Sequence, residues 1–278
     1  MKKIIAAFDG LKLSESAMSY AIHTAKMINA HLVGVFLDDV MYTSYKIYDV
    51  ITNEGSSERK LNEYDKRDSD TRARAVQAFE TACRTAGLNY SVHRDRNVAI
   101  QELLHESVFA DLLIIDEKET LTHYEENVPT RFIRDLLNDV QCPVLIVPEK
   151  HSRAEKLVLL YDGEPSSVHA IKMYSYLFAI PENITAEVVA VRSMDNSMHL
   201  PDNHLMKEFM KRHFKSVQYK VLKGIAEDEI ITYLKQQPRN TVVVAGAYKR
   251  GRLSRWFRPS IADALMKDLK VPLFIAHN

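Results

Sequence analysis

Apolar and polar positions along this chain follow one alternating plan, and the plan is written twice. Ile4-Ile5-Ala6-Ala7-Phe8 is an apolar run that stops at Asp9-Gly10, and Leu157-Val158-Leu159-Leu160-Tyr161 is another that stops at Asp162-Gly163. Short runs without polar alternation predict strands buried on both faces. After the first, Ala17, Ala21, Ala25 and Ile28 recur at helical spacing over 14–29. The pattern then predicts a strand over 31–37, a helix over 72–86 ended by Gly87, a short strand over 90–94 and a helix over 100–107. A strand from Leu112, a helix over 130–139 and a final strand close the first half.

The later segments repeat as well. Leu112-Leu113-Ile114-Ile115-Asp116 matches Val242-Val243-Val244-Ala245-Gly246, and Cys142-Pro143-Val144-Leu145-Ile146-Val147 matches Val271-Pro272-Leu273-Phe274-Ile275-Ala276. The offset is 153 at the first match but 130 and 129 at the later two, which places an insertion of about 23 residues in the first half. The expectation is two domains, 1–150 and 153–278, joined at 149–154. Strands alternating with helices in units this short predict an α/β fold with two doubly wound parallel sheets. Ligands of such sheets bind beyond the strands' C-terminal ends, where the strand order reverses. Asp9, Asp162 and Gly246 all lie at such ends.

The loop after Gly246 changes the picture. Lys249, Arg250, Arg252, Arg255 and Arg258 stand in it with no acid among them, and Pro259-Ser260 then opens a segment with Ile261, Ala262, Leu265 and Leu269 at helical spacing. A strand, a basic loop and a helix start capped by Ser260 are the parts of an anion site, because amide N–H groups and the helix dipole converge there. The equivalent loop of the first half, 116–130, has the same length but carries Asp116, Glu117, Glu119, Glu125 and Glu126 against the single Lys118.

Composition sets outer bounds. The 278 residues carry 37 basic and 37 acidic side chains, so no net charge steers the chain to nucleic acid or to a membrane surface. No apolar run reaches the roughly 18 residues of a membrane span, and the opening MKKIIAAFDG reads as a strand rather than a signal peptide. Cys83 and Cys142 have no metal or redox spacing and are expected as reduced core thiols in a cytoplasmic protein.

These pieces, in this order and twice over, resemble the universal stress protein family in a tandem two-domain form, a fold of the adenine nucleotide alpha hydrolase-like type. The resemblance covers nearly the whole chain. It rests on the two Asp-Gly strand ends, on Gly246 and Ser260 at the first and last positions of the family's Gly-x2-Gly-x9-Gly-Ser/Thr loop, on the Lys223-Gly224-Ile225-Ala226 turn, and on Pro143 and Pro272 before the last strands. It implies ATP or AMP as cofactor in the second domain, with Asp162 facing the ribose, Val191 offering backbone to adenine, and Gly246, Lys249, Arg250, Ser260 and Ile261 around the phosphates. Lys249 and Pro259 replace two of the family's glycines; one adds a charge and the other removes an N–H. The acidic loop implies that the first domain is a degenerate, structural half that repels a triphosphate. The family also implies an internal pseudo-dimer joined through Val144–Val147 and Leu273-Phe274-Ile275-Ala276, and a role in stress response or regulation. Homodimerisation of the whole chain stays open. The alternative is a scaffold of the same fold that binds no nucleotide and meets protein partners through the basic loop and the insertion.

Other motifs weigh less. Gly246-x4-Gly251 is followed by Arg252-Leu253 instead of the Lys-Ser/Thr of a P-loop. His199, His204 and His213, with Asp195 and Asp202, fit no zinc spacing and read as a solvated loop rather than a metal site. Tyr42, Tyr45 and Tyr48 form a stripe in the insertion, read as local packing or as a cover for a ligand or partner, and Trp256-Phe257 are read as a loop anchored into the core or a contact surface for a partner or the other domain. No nucleophile–base pair or paired carboxylates are defensible, so at most slow, incidental ATP hydrolysis is expected.

Overall fold

A computed structural model of the chain describes residues 1–39, 58–122, 124–178, 184–193, 198–247 and 259–277. Tyr42, Tyr45, Tyr48, Asp195, Lys249, Arg250, Trp256 and Phe257 lie outside the described residues, as do the side chains of Pro259, Ser260 and Ile261. Two compact units form, Met1–Val140 and Gln141–Asn278.

The first unit contains β1 (Lys3–Asp9), α1 (Glu15–Ile28), β2 (His31–Asp39), α2 (Glu58–Ala86), β3 (Tyr90–Asn97), α3 (Ala99–Ser107), β4 (Leu112–Asp116) and α4 (Arg131–Asp139). Its strands run in the order β3-β2-β1-β4, all parallel, in register Ala6↔Gly34 and Ile5↔Leu113. Strand order therefore reverses at β1, between β2 and β4. Helix ends follow local chemistry. Ser14 caps α1 by accepting the Ala17 N–H at 3.1 Å, Asn29 closes it in the left-handed conformation (φ 50°), and Gly87 (φ 67°) follows α2. Tertiary packing sets the rest: Phe79 of α2 meets Phe8 and Phe36 at ring-centroid distances of 5.6 and 5.8 Å. A Cβ at Gly34 would sit 2.7 Å from the Phe79 ring, so only glycine lets α2 lie this close to the sheet.

The second unit contains β5 (Val144–Val147), β6 (Lys156–Leu160), α5 (Pro165–Leu177), β7 (Thr185–Arg192), α6 (Asn203–His213), β8 (Val217–Lys223), α7 (Ala226–Lys235), β9 (Thr241–Ala247), α8 (Pro259–Asp268) and β10 (Leu273–His277). Its strands run β5-β10-β9-β6-β7-β8, parallel except that β5 pairs antiparallel with β10 (Leu273↔Ile146, Phe274↔Leu145, Ile275↔Val144). Here the order reverses at β6, between β7 and β9. The last strand of the first repeat thus adds to the sheet of the second, which covers an apolar edge. For that reason the compact units divide at 140/141, earlier than the linker at 149–154 that the sequence suggests. The core of this unit centres on Phe274, with the Tyr174 ring edge-on at 5.1 Å and Tyr174 stacked on Phe178 at 4.5 Å.

Among the described residues, no helix is long and apolar enough to cross a membrane. Cys83 and Cys142 are free and buried, and burial pushes the Cys83 thiol up to about 11.

Candidate functional site

In the second unit, three adjacent strands deliver the expected residues to one end of the sheet. Asp162 follows β6, Val191 lies near the end of β7 and Gly246 near the end of β9; the registers Leu160↔Val189 and Leu159↔Val244 hold these strands side by side. The Asp162 carboxylate accepts the Glu164 N–H at 2.9 Å and shapes the turn into α5. Gly163 stands at φ 90°, and a Cβ there would lie 2.7 Å from Pro201. The segment after β7 therefore roofs the Asp-Gly turn, with Leu200 buried beside it.

Gly246 abuts the start of α5. A Cβ at this position would collide with the Ser166 carbonyl and lie 2.6 Å from the Ser167 nitrogen. The first turn of α5 has Pro165 at its start, and its N-cap Glu164 makes no side-chain cap bond. Only glycine lets the end of β9 pack this closely against the first turn of α5. Pro259 opens α8, where its missing N–H needs no partner, and Ser260 and Ile261 follow inside the first turn, so Ser260 is not the cap that the sequence suggested. Nearby, Tyr161 is buried, and burial, then the charges of Asp202 and Asp162, push its hydroxyl up to about 12.

The first unit builds the corresponding place quite differently. Its acidic loop turns inward, and Asp116, Glu117 and Glu119 are buried together with Asp9. The Glu119 carboxylate accepts the backbone N–H groups of Asp9 (3.4 Å), Thr120 (3.1 Å) and Leu121 (3.1 Å). Leu121 takes the left-handed conformation (φ 50°) to aim its N–H there, an uncommon geometry for a branched residue. Thr130 secures the other side: its hydroxyl donates to the Glu119 carbonyl at 2.5 Å and accepts the Ile133 N–H at 3.2 Å. The Ser14 hydroxyl donates to Asp116 at 2.5 Å, and the Asp9 carboxylate accepts the Leu11 N–H at 2.8 Å. Burial, then the charge of Asp9, push the Glu119 carboxyl up to about 7; burial likewise raises Asp9. Amides near the strand ends are thus already taken by the protein's own carboxylate.

Sequence reasoning recognised this loop as acidic but missed Glu119 as an internal acceptor. The one signal was Thr130 kept at the cap position, which promises a bonded helix start but not its partner. The roofs were missed too: Pro201 over Gly163, and Arg72 over Gly10, where a Cβ would lie 2.9 Å from Arg72 Cγ. The histidines do not gather. His199 and His204 are exposed, and His213 Nδ1 lies 2.8 Å from the Ser175 hydroxyl. Among the described residues, no group of three or more His, Cys, Asp or Glu is placed to hold a metal ion.

No family model matches the sequence, and no curated protein matches it by sequence. Solved structures do match in shape. A universal stress protein from Archaeoglobus fulgidus superposes with a TM-score of 0.71 at 14% identity, over 99% of this chain and 98% of its own. A Pseudomonas aeruginosa protein assigned as a universal stress protein gives 0.55 at 16% identity, over 100% and 93% of the two chains. A functionally unknown protein from the same species gives 0.55 at 14% identity, over 100% and 92%. With its repeated strand plan and the strand ends described above, this chain has the α/β fold of the universal stress proteins, as its sequence motifs suggested.

Proposed function

We propose that this protein acts in stress response or regulation in the cytoplasm and binds ATP or AMP in its second unit alone. The observation that supports this reading is that Asp162, Val191 and Gly246 stand on adjacent strands at the same end of the second unit's sheet, where ligands of this architecture bind. Asp162 would face the ribose and Val191 the adenine. Gly246, Lys249, Arg250, Ser260 and Ile261 would surround the phosphates. The first unit takes no part in nucleotide binding, because a triphosphate there would displace Glu119 and meet Asp9 and Asp116.

The test is release of small molecules from purified, heat-denatured protein, identified by mass spectrometry, followed by calorimetric titration with ATP and AMP. Copurified or titrated nucleotide that is lost in Asp162→Ala supports the reading. A protein that is empty and gives no heat with either nucleotide overturns it. That result would favour a scaffold of the same fold, a second reading that the close cover of Pro201 over Gly163 also supports.

A further inference from the structure

A cavity of about 350 Å³ opens in the first unit beyond the ends of β1, β2 and β3, beneath the first half of α2. Its size sits at the low end for ligand sites, which suits a small metabolite. The floor is apolar, formed by Phe36, Leu37 and Val76. Charged groups of both signs stand around it. Asp65, Asp68 and Arg72 share one face of α2, and Arg94 lies beside Phe36 in the β2–β3 register. Asp38 pairs with Arg72 at 2.8 Å and orients its guanidinium. The Arg72 Nε is nevertheless buried with no hydrogen-bond partner among the described residues.

We propose that this cavity binds a free amino acid with an apolar side chain. Its carboxylate would accept from Arg72 and Arg94, its ammonium would face Asp65 and Asp68, and its side chain would lie on Phe36, Leu37 and Val76. A guanidinium pair selects a carboxylate by its forked donors, and nearby carboxylates select an ammonium. Neither set suits a nucleotide, since the carboxylates would repel its phosphates. The site lies wholly within the first unit and is independent of the nucleotide reading for the second.

Calorimetric titration of the full chain with L-phenylalanine and L-leucine tests this. Binding should weaken by about tenfold or more for 3-phenylpropionate, which lacks the ammonium, and for phenethylamine, which lacks the carboxylate. Arg94→Met and Asp65→Asn alter exposed side chains and leave the fold intact. Each should weaken phenylalanine binding by about tenfold while any ATP binding persists. Absence of heat with both amino acids, analogues that bind as well as phenylalanine, or unchanged binding in both variants would each overturn the proposal.

Discussion

Gly246 and Ser166, 80 positions apart in sequence, are pressed together so that the end of β9 has no room for a side chain against the first turn of α5. The contact fastens two neighbouring segments of the second unit at the end of the sheet where ligands of this architecture bind. Gly246→Ala should cost about 1–3 kcal/mol, the range for forcing a methyl group into packed structure. Urea denaturation would read this as a lower midpoint with an unchanged slope. A variant as stable as the parent would show that the backbone yields here.

In the first unit, Glu119 makes stability depend on pH. Its folded value of about 7 exceeds its ordinary value of 4.5, so the folded state holds a proton that the unfolded chain has released. Stability should therefore fall as pH rises from about 4.5 to about 7, and level off above that. Burial pushes Glu106 up, but hydrogen bonds from Lys3 and His93 outweigh it and hold its carboxyl below 4.5, so its contribution is lost only at lower pH. Glu119→Gln should flatten the decline when unfolding free energies at pH 5 and pH 8 are compared. An undiminished difference would assign the proton to another group.

Thr130 caps α4 while its hydroxyl holds the Glu119 carbonyl. Thr130→Ala should cost about 2 kcal/mol, because it removes the cap and leaves a buried carbonyl unpaired. Thr130→Ser should recover most of that loss. Thermal unfolding of the three proteins would check both statements.

At the opposite end of the second sheet, Glu187 is buried on β7 and receives Lys156 at 2.6 Å and the Tyr233 hydroxyl at 2.5 Å on the same oxygen. Tyr233→Phe should cost about 1–2 kcal/mol and Lys156→Met about 3 kcal/mol, since the latter strips a buried carboxylate of its countercharge. The double variant should depart from additivity by about 0.5 kcal/mol or more, because both partners share one atom. Strict additivity would mean that water replaces either partner.

Much of this architecture is written locally. The apolar runs ending at Asp9-Gly10 and Asp162-Gly163, the caps at Ser14 and Thr130 and the stop at Gly87 depend on neighbours a few residues away, so the sequence alone determined the repeat, the parallel strands and the ends where Asp162, Val191 and Gly246 stand. Only the tertiary structure decided that β5 runs antiparallel to β10, that Arg72 and Pro201 cover the two Asp-Gly turns, and that Glu119 turns inward. Such choices are made between groups far apart in the chain: Glu119 reaches the N–H of Asp9 across 110 positions. An acidic side chain carries the same local propensity whether it faces water or a cluster of buried amides. Burial and the donors that meet it there decide which.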